Sequence, residues 1–204
     1  MYHGERLNSI THLVGAALAV VGAAFLIARV AGQDVPWKIT GVVLFGLGLV
    51  TLYSASTLYH AIRGPLKGLL RRADHAAVFL LIAGTYAPFA LGPLRDGLGL
   101  TLFAIVWAMA VVGIWQAIRR SADRDPSPVP HLVMGWLGAA ALIPLSEALG
   151  PVGMAWLAAG GVLYTLGVVF YLKDREWRHA HGIWHLFVMG GSGSHFVAVM
   201  NFVA

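Results

Sequence analysis

Apolar runs of about twenty residues recur along the whole chain, and that is the length a helix needs to cross the hydrocarbon core of a bilayer. Seven such runs are expected, at residues 9–30, 38–61, 74–92, 99–118, 130–148, 152–172 and 182–203. Residues 102–114 and 163–172 are apolar on nearly every side, whereas a barrel strand alternates apolar and polar over about ten residues. The expected fold class is therefore an all-α integral membrane protein, a seven-transmembrane helix bundle forming a single domain over residues 1–204. Only 11% of the residues are charged, too few to cover the surface of a soluble domain of this size. The spans consume nearly the whole chain, so any chemistry has to sit inside the bundle or at its rims. The longest hydrophilic stretches, 62–73 and 119–129, read as loops. The second is rich in Pro, Ser, Asp and Arg and reads as a mobile surface loop.

Charge sets the orientation. With the N-terminus inside, eleven of the fourteen Lys and Arg fall in inner segments, and Arg29, Lys38 and Arg95 fall in outer ones. Positively charged residues gather on the cytoplasmic side of membrane proteins. The N-terminus is therefore expected in the cytoplasm and the C-terminus outside, in a multi-pass protein of the inner (plasma) membrane. The net charge of +5 follows from these loops, which suit anionic lipid headgroups, and calls for no nucleic-acid partner. There is no cysteine, which excludes a disulfide framework and thiolate chemistry. The first apolar run is too long for a cleaved signal peptide and reads as the first span.

This topology brings His60, Asp74, His181 and His185 to one end of three different spans. Ionisable residues within a membrane are costly, so their convergence points to a site. His181 and His185 are four residues apart and stack on one helix face, and so do Ser56 and His60. Three neutral imidazoles with an open fourth position are the ligand set of a catalytic zinc. Asp74, which opens the third span, suits a helix N-cap; it is equally placed as a carboxylate that holds and deprotonates water at a zinc site. Ser56 would hydrogen-bond the same water or a substrate oxygen, or simply mediate a helix–helix contact. Asn8 and His12 share a face of the first span, and the structural reading of them is preferred. His195 lies about 15 Å beyond His185 along the last helix, too far to share a metal with His181, and is assigned a hydrogen-bonded packing role.

These residues sit in stretches that carry a family resemblance: Glu5-Arg6-Leu7-Asn8-Ser9-Ile10-Thr11-His12-Leu13, Ser56-Thr57-Leu58-Tyr59-His60, the run 74–89 that opens Asp74-His75, His181-Gly182-Ile183-Trp184-His185-Leu186-Phe187, and Gly193-Ser194-His195-Phe196. Together they span the chain, which resembles the bacterial hemolysin III proteins within the broader progestin and adipoQ receptor family. The resemblance implies seven transmembrane helices, a cytoplasmic N-terminus and a zinc ion near the cytoplasmic face. It implies His60, His181 and His185 as the ligands, Asp74 holding the zinc water and Ser56 beside it. The wider group is similar to alkaline ceramidases, which implies amide hydrolysis on lipids.

The function expected is that of a zinc-dependent membrane hydrolase acting on a lipid amide or ester near the cytoplasmic leaflet. Its cofactor would be Zn2+, and its partners membrane lipids and a lipid-like substrate or ligand. Asp74 would serve as general base. Two other classes stand beside it: a receptor or homeostasis sensor with structural zinc, which ordinarily has four protein ligands, and a pore-forming cytolysin. A pore would need a polar stripe along several helices, and the middles of these spans carry almost no charge.

Overall fold

The computed structural model describes residues 4–119 and 126–204, and every regular element among them is helical. Helices α1 (Arg6–Ala31), α2 (Pro36–Ala61), α3 (Lys67–Leu91) and α4 (Leu100–Arg119) run up and down in sequence order, with a short π-helical turn at Arg95–Gly99 before α4. A short helix α5 (Val129–Trp136) leads through a 3-10 segment, Leu137–Ala141, into α6 (Leu142–Leu172), and α7 (Ala180–Phe202) closes the bundle. The core of the 119–129 stretch read as a mobile loop lies outside the described residues.

Helix α1 shows why both faces of these helices are apolar. Gly15, Ala19, Ala23, Leu26 and Val30 recur at three- and four-residue spacings and are buried. Val14, Leu18, Val21 and Phe25 cover the opposite face and are exposed. An outward apolar face is stable only against lipid, where the helix also satisfies its own backbone hydrogen bonds. Small residues set the close approach of α2 to α3. A Cβ on Gly84 would lie 2.7 Å from the Leu44 carbonyl oxygen, and one on Gly48 would lie 3.1 Å from that of Leu80. Glycines of this kind let two backbones touch in a membrane, where packing rather than water exclusion drives association. Phe45, Leu49 and Leu52 fill the interior beside this contact.

Among the described residues six helices are long and apolar enough to cross a membrane, not the seven expected, because residues 130–148 and 152–172 belong to one 44-residue helical stretch, Val129–Leu172. This stretch is not straight. Gly150 adopts φ 62° and ψ 179° immediately before Pro151, a conformation open essentially to glycine alone. The two arms fold against each other: the Tyr171 hydroxyl donates to the Pro126 carbonyl at 3.0 Å, and the Trp136 indole N–H donates to Thr165 Oγ1 at 3.1 Å. The Tyr86 hydroxyl lies 2.9 Å and 2.8 Å from the carbonyls of Met134 and Gly135 and accepts from the Gly138 N–H at 2.7 Å, tying α3 to the 3-10 segment.

A second correction concerns α3. It begins at Lys67, so most of the 62–73 stretch read as a loop is helix, and Asp74 sits two turns inside rather than at the N-cap. The apolar run marks where lipid begins. Backbone hydrogen bonding continues past it through Lys67, Arg71 and Arg72, which are good helix formers.

Candidate metal centre

His60 occupies the last turn of α2, and His181 and His185 occupy the first two turns of α7, all at one end of the bundle. Their ligand atoms lie within 4.8 Å of one another. His60 and His185 are each only 2% exposed. The ring centroids of His60 lie 4.9 Å from His181 and 5.0 Å from His185, and those of His181 and His185 lie 4.7 Å apart. The spacing in the sequence explains the α7 pair; the approach of α2 brings the third ring.

Each ring is held by an oxygen on its Nδ1 side. His60 Nδ1 lies 2.7 Å from Glu5 Oε2. His181 Nδ1 lies 3.1 Å from Asp174 Oδ2. His185 Nδ1 lies 3.2 Å from both the Asn8 carbonyl and Thr11 Oγ1. The Thr11 hydroxyl proton is taken by the carbonyls of Leu7 and Asn8 at 2.9 Å and 3.0 Å, so it is His185 Nδ1–H that donates. All three rings therefore carry the proton on Nδ1, as assigned from their partners, and Nε2 is left as a lone pair on each. His60 Nε2 is buried and has no partner, which costs about 1–3 kcal/mol where nothing answers it. Three inward lone pairs, with the opposite ring nitrogens anchored on carboxylate or carbonyl oxygen, form the arrangement by which proteins orient histidines on a metal. The residues fit a divalent cation such as zinc.

The outer partners are ordered in turn. Glu5 Oε2 also accepts from the Asn8 side-chain amide at 2.7 Å. Half-burial works against the Glu5 charge, but the His60 hydrogen bond and the Asn8 amide outweigh it and bring the carboxyl down to about 2. Asp174 is lowered from its ordinary value by the His181 hydrogen bond, ahead of the opposing effect of burial. It stands in the α6–α7 turn, which ends with His179 at φ 65°, a left-handed conformation that histidine tolerates better than most residues. Gly182 lets α1 lie against α7, because a Cβ there would run into Leu7.

Ser56 is 1% exposed, one turn before His60, and hydrogen-bonds the carboxylate of Asp74. Both residues, with His181 and His185, line one end of an apolar cavity of about 320 Å³ that extends to Leu94, Leu102 and Leu145. The structure thus brings together all five residues singled out from the sequence. It adds Glu5 and Asp174, which sequence reasoning did not assign. Asp174 has one signal, an acidic group between Lys173 and Arg175 just before the helix that carries His181 and His185; Glu5, which precedes α1, has none. His12, preferred as structural, stacks on His185 with centroids 3.6 Å apart and planes 11° apart. It also lines the cavity. His195 makes the hydrogen bond expected of it, Nε2 to the Leu157 carbonyl at 3.0 Å.

Comparison with known proteins gives the family of the chain. A family model described as Haemolysin-III related matches residues 1–196. The chain is 41% identical to the hemolysin-3 homolog of Bacillus subtilis (strain 168), over 96% of this chain and 92% of that protein. It is 40% identical to hemolysin-3 of Bacillus cereus, over 98% and 91%, and 30% identical to the human monocyte to macrophage differentiation factor, over 96% and 83%. A membrane-spanning helical bundle with three of its nine histidines gathered at one end, this chain is matched along nearly its whole length and belongs to the haemolysin-III-related family.

Proposed function

We infer that this protein is a zinc-dependent membrane hydrolase that cleaves an amide or ester of an acyl lipid. The observation that carries the reading is the clustering of three histidines, two of which, His181 and His185, line the head of a long apolar cavity together with the Ser56–Asp74 pair. Among the described residues no fourth His, Cys, Asp or Glu joins the cluster within the same reach, and three protein ligands with an open position are typical of catalytic rather than structural zinc. Zinc at this position would polarise a carbonyl and make water nucleophilic near neutral pH.

The chain's own residues supply the rest. The cavity takes the acyl chain and excludes water from it, which sets the carbonyl at the triad end. Asp74 accepts a proton from the attacking water and returns it to the leaving nitrogen or oxygen. Ser56 donates to the Asp74 carboxylate and fixes its direction. His60, His181 and His185 keep their planes because Glu5, Asp174 and the Asn8 carbonyl hold them. Membrane lipids are the partner and the source of substrate.

The reading places the site in the cytoplasmic leaflet of the inner membrane, with the N-terminus inside. The 44-residue stretch is twice what one crossing needs, and its two arms fold together, which supports two crossings there and seven in all. Reporter fusions at the two termini should then report opposite sides of the membrane; the same side for both would refute this topology.

The activity is tested by incubating detergent-purified protein with a panel of acyl amides and acyl esters and measuring released fatty acid. The expected result is turnover by the parent, and a loss of about a hundredfold or more in Asp74→Asn with the metal retained, on the scale of a lost general base. Retained metal with no turnover on any lipid would favour a sensor with a structural ion. Leakage of protein-loaded vesicles that is indifferent to this substitution would favour a cytolysin.

A further inference from the structure

A second polar locus lies deep in the bundle, away from the triad. His195 is nearly three turns beyond His185 on α7, about 15 Å along the helix. Its Nε2 donates to the Leu157 carbonyl at 3.0 Å, so Nδ1 is left as an acceptor, and this atom is buried without a partner. Gly160 lets α6 press against the ring, since a Cβ there would collide with it. Beside it is a chain of hydroxyls. Tyr53 donates to Ser192 Oγ at 2.7 Å, and Ser192 Oγ stands 2.7 Å from the Tyr164 hydroxyl. With the Ser192 proton turned to Tyr164, the Tyr164 O–H is free to donate onward. The rings of Tyr164 and His195 are 5.6 Å apart, and both line the apolar cavity. Other polar side chains along this wall are already engaged: Thr85 donates to the Leu81 carbonyl at 2.8 Å, and Thr165 to that of Gly161 at 2.7 Å.

We propose that this locus binds a hydroxyl carried part-way along the acyl chain. A hydroxyl both accepts and donates: its oxygen would take the Tyr164 proton, and its own proton would go to His195 Nδ1. A keto group at the same place has no proton for Nδ1, and a plain methylene answers neither group. The ligand class is therefore a long-chain acyl compound with a mid-chain alcohol. The inference rests on the cavity being an acyl site, as proposed above, but does not depend on turnover.

The test is equilibrium binding of fatty acids to the full-length protein in detergent, followed by the fluorescence of Trp136 and Trp184, which line the cavity. Four probes are compared: a long saturated acid, its mid-chain hydroxy and mid-chain keto derivatives, and an isomer with the hydroxyl beside the carboxyl group. The mid-chain alcohol should bind roughly three- to tenfold more tightly than the saturated acid, the range of one net buried hydrogen bond. The mid-chain ketone, which accepts from Tyr164 but has no proton for His195 Nδ1, should gain less than the alcohol, and the isomer with the hydroxyl beside the carboxyl group should gain nothing. His195→Phe and Tyr164→Phe should each reduce that gain while leaving the saturated acid's affinity in place; should His195→Phe fail to fold, Tyr164→Phe gives the result alone. Equal or weaker binding of the mid-chain alcohol, or a gain that survives both substitutions, overturns the proposal and leaves a hydrated structural cluster. If no fatty acid binds at all, the acyl-cavity reading falls with it.

Discussion

Each imidazole of the triad commits its Nδ1 proton to an oxygen, and two of those oxygens are carboxylates that no ligand-spacing rule points to. Glu5 and Asp174 come from the segments just before α1 and α7. They should matter to metal affinity nearly as much as the ligands, because they fix ring plane and tautomer. Glu5→Gln is expected to weaken zinc binding about 10–100-fold, read by competition with a chelator of known affinity. Unchanged affinity would mean that the Glu5–His60 contact does not orient the ligand. The three clustered histidines were legible in the sequence as candidates: His181 and His185 lie one helical turn apart, and Ser56 precedes His60 by the same interval. Glu5 and Asp174 were not, because their contacts span 55 and 7 residues and neither shares a helix face with its histidine. The face-to-face stack of His12 on His185 was hidden for the same reason, since it depends on how α1 is rotated about its axis.

At the scale of the element, apolar length was a sound guide to where helices lie and a poor one to where they start and stop. Helix α3 continues past its apolar run to Lys67, which moved Asp74 from a presumed cap to an interior turn facing Ser56. The stretch Val129–Leu172 is continuous by helical count, yet is reversed by one residue, Gly150, at φ 62°. That reversal forms the hairpin along which the cavity wall is built. Gly150→Ala should cost about 1–3 kcal/mol, the strain of a side chain in this backbone region, seen as a lower melting temperature in detergent. Gly193→Ala is the control, because Gly193 has open space around its absent Cβ and lies in regular helix, where alanine is favoured. Equal melting temperatures for the two variants would show that the turn is not held in this conformation.

At the scale of the whole molecule, the bundle gathers the ends of α1, α2, α3 and α7 into one polar cluster and leaves a long apolar hollow behind it. That convergence is what charge asymmetry and span counting led one to expect from the sequence, since four of the seven expected runs, an even number, separate His60 from His181 and return the chain to the same face. The hollow itself had no signature, because a cavity-lining leucine and a packed one read alike. The account depends on the cluster holding an ion. The most direct measurement is the metal content of protein purified without chelator and then equilibrated with zinc and desalted, read by mass spectrometry beside the His60→Ala variant. The account predicts about one zinc per chain in the parent and a small fraction of that in the variant; a parent that emerges free of zinc, or a variant that retains as much as the parent, would contradict it.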